Sequence, residues 1–407
     1  MLARRLALGG VTVTLLEAGD RLGGSIASHT VGGLVLDAGA ESFALRGGTV
    51  ADLTAELGLG DDIVSPSSAG AWLQPATGSP KPMPALSLMG IPGSPMAADV
   101  IAILGPRAAF RAFLETLLPG TYASDSRTIG ELVRRRMGAA VLDNLVDPIV
   151  RGVYSTDANE VEIDRISPGL VAAMRTRGSL AGAVAELRAG TAGQAKAGSA
   201  VAGIRGGMFR LIDALADDAR RLGVDIRLGA RVTDVAADQV SVGGEQIVGR
   251  VSVAAPGLLG GAADTGPLAV LATLVLDEPR LDLGPRGTGL LVAEGARGIR
   301  ARALTHATAK WPWLAEVSGG KHVVRLSYAS ALDNHRAVAM ADASALLGVE
   351  IPDQSVVDFA VVEWRRPPRQ ADIPAGISLV GETASGTGMA AVVARSEAEA
   401  QALLRTL

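Results

Sequence analysis

An α/β fold with an inserted α+β portion follows from three observations in this 407-residue chain. The apolar run 11–16, rich in β-branched residues, ends in an acidic residue, Glu17. The second strand of a doubly wound sheet ends in this way when its carboxylate holds ribose hydroxyls. Glycines then stand where the chain must turn tightly or approach another backbone, at Gly23, Gly24 and Gly39. Two later segments, 201–257 and 377–407, alternate strand, glycine turn and helix in the same manner.

The elements follow in order. "MLARRLALGG" reads as the last turns of a helix, with Leu2, Leu6 and Leu8 near one face and Gly9–Gly10 as its stop. No G-x-G-x-x-G phosphate turn stands before Glu17, so the first strand and half a helix, roughly twenty-odd residues, are expected to be missing from the start. A helix is predicted from Thr49, and the Pro/Ser/Gly-rich stretch 65–95 reads as hairpin and loop. Residues 97–118 form an amphipathic helical pattern. It fits either a membrane-surface contact or an ordinary helical subdomain, and its few basic residues favour the second. Thr128 is a plausible helix cap with Glu131 three residues on. Segment 178–199, rich in Ala and Gly, reads as a linker. From 267 to 364 short strands alternate with turns, which predicts a mixed sheet.

Composition bounds the chemistry. There are no cysteines, which excludes disulfides, thiolate catalysis and Cys-based metal sites. The four histidines lack metal-ligand spacing, so no metal is expected. A net charge of −4 argues against a nucleic-acid partner. Mean hydropathy is high at +0.31, yet no apolar run of ~18 residues occurs. No transmembrane segment and a cytoplasmic location are therefore expected.

The order "LLEAGDRLGG" then "LDAGAES" resembles the adenine-nucleotide half of an FAD-binding domain of the amine-oxidase type. A carboxylate offers two acceptor oxygens to a ribose diol, and Arg21 can neutralise pyrophosphate charge. A helix starting near Met389 can place its N-terminal partial charge against a reduced flavin. "GTGMAA" also fits G-x-G-x-x-A, a rival phosphate turn, but no further strand follows it. With "DPIVRGVY", "KWPWL" and "GETASGTGMAAVVA", the chain resembles the flavin-dependent protoporphyrinogen/coproporphyrinogen III oxidases of haem biosynthesis, bacterial branch.

The resemblance implies a Rossmann-like FAD-binding domain in three pieces (1–64, 201–260 and 365–407) and truncated at its N-terminus. It implies a helical, substrate-side domain at 65–200 and a substrate-binding domain at 261–364. The cofactor residues it implies are Glu17, Ala18, Arg21, Gly24, Ser25, Gly39, Ala40, Glu41, Ser42, Val232, Gly381, Glu382, Thr387, Gly388 and Met389. Arg151 and Tyr154 are implied as porphyrinogen contacts. The expected reaction is oxygen-dependent oxidation of coproporphyrinogen III, or of protoporphyrinogen IX, by an FAD oxidoreductase. The chain departs from the family pattern after Gln370, where a "PQY-x-x-GH" segment is absent. That departure leaves a degenerate, non-catalytic relative or another amine-oxidase-like flavoenzyme as alternatives.

Overall fold

The computed structural model describes residues 1–45, 47–154, 156–189, 201–254, 256–259, 266–365, 373–386 and 388–406. The chain forms two compact units, one from Met1–Ser65, Ala200–Leu271 and Val362–Leu407, the other from Pro66–Ser199 and Ala272–Val361.

In the first unit, strand Thr14–Leu16 pairs in parallel with Asp225–Arg227, and strand Ser252–Val253 pairs in parallel with Ser378–Leu379. Strand Val201–Ile204 pairs antiparallel with Phe43–Ala44 and Ile63–Val64, and helix Phe209–Arg221 carries the chain from it to Asp225. Strands Val232–Val235, Gln239–Val242 and Glu245–Val248 form an antiparallel meander. The sequence of 201–257 reads as a strand, a helix and three strands; the structure has the first strand and the helix and then five short strands, from Asp225–Arg227 to Ser252–Val253.

The N-terminal helix Leu2–Leu8 packs on the C-terminal helix Met389–Leu404 through Leu2, Leu6, Ala400 and Leu403. Leu8 is exposed rather than on that face, because at 100° per residue it points away from Leu6. Arg4 ties this helix to Asp218 and, at 3.0 Å, to Glu56; Arg5 bridges Glu56 and Glu397.

The second unit is built on a seven-stranded mixed sheet, in the order Val356–Arg365, Leu268–Leu276, His322–Tyr328, Ala303–His306, Gly289–Val292, Trp72–Gln74, Lys81–Pro82. A helical layer with its own core stands beside these strands in the same unit, centred on Ile129, Leu132, Leu145, Leu170 and Leu180. Thr128 caps helix Ile129–Arg136: its hydroxyl accepts from Glu131 N at 3.3 Å, and Glu131 accepts from Arg127 N at 3.2 Å. The expected linker is in part a helix, Leu180–Ala189, with Leu180, Ala181, Ala183 and Val184 buried. Alanine-rich sequence lacks an amphipathic signature, and tertiary packing decided the helix. Residues 190–199 lie outside the described residues. The 97–118 pattern divides into helices Ala98–Leu104 and Pro106–Phe113 and a 3-10 turn, Leu114–Leu117. Among the described residues no helix is long and apolar enough to cross a membrane.

Candidate functional site

Strand Thr14–Leu16 delivers Glu17 to the edge of the first unit, where its amide donates to Arg227 O at 3.0 Å. The Glu17 carboxylate folds back, and its Oε1 accepts from Gly19 N at 2.7 Å. Its second oxygen meets no donor among the described residues, so one carboxylate oxygen is oriented by backbone while the other stays open to a hydroxyl. Gly229 N and Ala230 N donate to Gly19 O and Glu17 O, both at 2.8 Å. The chain entering strand Val232–Val235 therefore lies on the Glu17 turn, although more than two hundred residues separate them. Val232 itself is half-buried, paired with Val242. Ala18 is exposed.

Arg21 folds over its own turn and donates to Leu22 O at 3.2 Å and to Gly24 O at 2.9 Å. Gly24 and Ser25 are exposed, and Gly24 faces open space. Gly39 packs directly on Ser25: a Cβ at Gly39 would stand 1.8 Å from Ser25 O, so no other residue fits. Ala40 N donates to the same carbonyl at 3.4 Å. Glu41 and Ser42 are half-buried and lead into Phe43, which is 3% exposed in the core.

The carboxy-terminal part of the site starts at strand Ser378–Leu379. Gly381 opens the one-turn helix Glu382–Ser385, and Gly388 precedes helix Met389–Leu404. Gly388 takes φ 116° and faces open space, a conformation and an approach that favour glycine. Glu382 is half-buried, and Thr387 lies outside the described residues. Met389 packs in one core with Ile26, Phe43 and Met208. The start of this helix thus shares its hydrophobic footing with the neighbours of Ser25 and Ser42.

Sequence reasoning missed Thr383, Trp364 and the role of Asp37, the aspartate that opens the "DAGAES" motif. Asp37 Oδ1 accepts from Phe209 N at 3.2 Å, which caps the start of helix Phe209–Arg221 behind the Gly206–Gly207 turn. The hydroxyl of Thr383 is buried with no hydrogen-bond partner among the described residues. Trp364 Nε1 donates to Ala38 O at 3.0 Å, and the Arg21 guanidinium lies 5.6 Å from the Trp364 ring centroid. None of these carries a local sequence signal, since each pairs residues far apart or shows itself only by a missing partner.

Residues in this unit fit a flavin nucleotide on their own geometry. The half-committed Glu17 carboxylate, the open faces of Gly24 and Gly388 and the orphaned Thr383 hydroxyl would all serve a bound polar cofactor. No group of three or more metal-ligating side chains occurs among the described residues.

In the second unit, Arg151 is held by three carboxylates. It pairs with Asp147 one helical turn back, with Asp157 at 2.6 Å and with Glu294 at 2.8 Å. Burial pushes the Asp147 carboxyl up, against the opposing Ala158 N–H and Arg151. A ligand carboxylate would have to displace one of these partners, and Glu294, with its side chain 74% exposed, is the most accessible. The side chain of Tyr154 lies outside the described residues.

Comparison with known proteins gives these features a family. Residues 1–290 match the family described as flavin containing amine oxidoreductase. The chain is 30% identical over 412 residues to a coproporphyrinogen III oxidase of Mycobacterium leprae, covering 95% of this chain and 88% of the relative. It is 28% identical over 424 residues to a coproporphyrinogen III oxidase of Mycobacterium tuberculosis (strain H37Rv), covering 94% and 89%. A crystal structure from Exiguobacterium sp. 255-15, provisionally named a protoporphyrinogen oxidase, superposes with a TM-score of 0.82 at 21% identity, covering all of this chain and 96% of the other. The resemblance read from the motifs is borne out, and this chain belongs to the flavin-containing amine oxidoreductase family.

Proposed function

We propose that the chain binds FAD and oxidises coproporphyrinogen III to coproporphyrin III with molecular oxygen as acceptor. The observation that carries this reading is the extent of the likeness. It runs over 95% of the chain to a relative named for that activity, and so includes the second unit as well as the cofactor motifs. FAD, when bound, would supply a two-electron acceptor, and because porphyrinogen loses six hydrogens on becoming porphyrin, three such oxidations consume three molecules of oxygen and release three of hydrogen peroxide.

The chain's own residues then bind and orient. Glu17 holds ribose hydroxyls with its open oxygen. Arg21, Gly24 and Ser25 face the pyrophosphate, and Gly39, Ala40, Glu41 and Ser42 form the wall behind them. Val232 offers backbone to the adenine. Gly381, Glu382, Thr387, Gly388 and Met389 aim a helix start at the flavin ring. On the substrate side, Arg151 receives a porphyrinogen carboxylate if Glu294 gives way, because a guanidinium pairs carboxylates in a bidentate manner. Tyr154 contacts the macrocycle. Little acid-base equipment is needed, since the porphyrinogen is electron-rich and the protein mainly supplies positioning.

The test is porphyrin fluorescence from coproporphyrinogen III and from protoporphyrinogen IX, with FAD-loaded protein, under air and under argon. Oxygen-dependent formation of coproporphyrin III above the spontaneous rate is expected, faster than on protoporphyrinogen IX. Bound, intact FAD with neither substrate oxidised would establish the non-catalytic relative instead.

A further inference from the structure

We infer that Trp364 is a positioning residue of the cofactor site, which holds Arg21 and the Ala38–Gly39 wall in register with one another. The inference rests on the FAD reading of the first unit, but part of its test does not.

Two contacts converge on this one indole, and Gly39 passes close beside it. Its N–H donates to Ala38 O at 3.0 Å. Its face lies under the Arg21 guanidinium, 5.6 Å from ring centroid to Cζ. Its Nε1 would stand 3.4 Å from a Cβ at Gly39. Ala38 and Gly39 are the residues whose backbone meets the Ser25 segment. Ala38 N donates to Ala27 O at 2.7 Å, and Gly39 packs on Ser25 O. Arg21 in turn donates to Leu22 O and Gly24 O, the carbonyls of the turn that ends at Ser25. Trp364 therefore touches both sides of one small construction, the Arg21–Ser25 turn and the wall behind it.

The physical reason is plain. Arg21 sits on an exposed turn, where a long side chain samples many rotamers and an ion pair to a solvent-facing phosphate gains little. An aromatic shelf confines the guanidinium through cation–π attraction, and the shelf is itself fixed by a directional hydrogen bond. The donors of Arg21 left over from the turn carbonyls are then presented in one orientation to an anionic group. Preorganisation of this kind raises affinity by lowering the ordering cost at the moment of binding.

The experiment compares the full chain with W364F, W364A, R21A and the double variant R21A/W364A. FAD is titrated against each and followed by quenching of flavin fluorescence. Amide hydrogen exchange across residues 20–40 is measured on the flavin-free proteins, with strand His322–Tyr328 as the internal reference. W364A is expected to weaken FAD binding about tenfold and to speed exchange at residues 21–40 while the reference strand is unchanged. W364F keeps the shelf and loses the N–H, so about threefold weakening is expected. Adding R21A to W364A should cost less than twofold more, because the two act together. Native-like FAD affinity and exchange in W364A would overturn the inference, as would full additivity of the two losses. If the native chain binds no FAD, the cofactor reading fails on its own. Faster exchange at 21–40 in flavin-free W364A would still support the tie between Trp364 and the turn, and unchanged exchange would remove it.

Discussion

Arg136 and Glu115 are both fully buried, and Arg136 Nη2 stands 2.7 Å from Glu115 Oε2. The pair is fully hydrogen-bonded. Arg136 also donates to Pro119 O, Tyr122 O and Glu115 O at 2.9–3.1 Å. Glu115 also accepts from Leu180 N at 3.0 Å and Ala181 N at 2.9 Å, the first amides of helix Leu180–Ala189. One carboxylate thus neutralises a guanidinium and caps a helix.

Replacing Arg136 by Met should leave Glu115 charged and unpaired in the core. Breaking a buried pair in this way costs ~3–5 kcal/mol. The urea midpoint of unfolding should fall accordingly, and R136M/E115Q should recover part of the loss. Equal stability of R136M and the native chain would contradict this account.

Gly39→Ala should reduce FAD binding severely, because its Cβ overlaps Ser25 O and the backbone of the wall must move. Retained FAD per polypeptide after gel filtration reads this directly. Glu17→Ala should cost ~1–3 kcal/mol of FAD affinity, the scale of hydrogen bonds to a charged acceptor. Titration of both variants beside the native chain checks the pair.

Glu294→Gln should favour substrate. It removes the most exposed of three carboxylates from Arg151 while Asp147 and Asp157 still hold the side chain. A lower KM for coproporphyrinogen III with little change in kcat is expected, and Arg151→Lys should raise KM. If both substitutions leave KM unmoved, Arg151 is only an internal tie.

Acid should weaken the second unit through His306. His322 Nε2–H donates to Asp282 Oδ1 at 3.0 Å, so His322 Nδ1 accepts from His306 Nε2–H at 3.1 Å. The remaining nitrogen of His306 is buried without a partner. Burial, and then the neighbouring His322, lower the His306 pKa from 6.5 to about 4. The fold binds the neutral ring, so this contribution is complete above pH 6.5 and is lost as pH falls from 6.5 through about 4. The loss is ~3 kcal/mol at the acid end. His306→Gln should flatten that part of the stability–pH curve, measured by denaturant unfolding from pH 7 to pH 4.

The parts of the site that were legible in the sequence are those whose logic is local. Glu17 ends its own strand, Arg21 and the glycines follow within a few residues, and Thr128 caps the helix it precedes. What was hidden depends on distant partners. Trp364 finds Ala38 across 326 residues, and helix Leu180–Ala189 is anchored on a glutamate 65 residues earlier. Arg151 could be picked out as an arginine in a telling motif, but its three acidic neighbours come partly from another strand's end, at Glu294.

The first unit is assembled from three stretches of chain, and the last of them, Val362–Leu407, brings both Trp364 and the C-terminal helix. During synthesis the Glu17 strand and the Arg21 turn gain strand Asp225–Arg227 and the Gly229 and Ala230 amides from the middle stretch, and meet Trp364 and the C-terminal helix only with the final one. The first unit therefore cannot be complete until the whole of the second unit has been made. A ribosome stalled anywhere before residue 362 would carry a first unit that lacks both the Trp364 indole and helix Met389–Leu404.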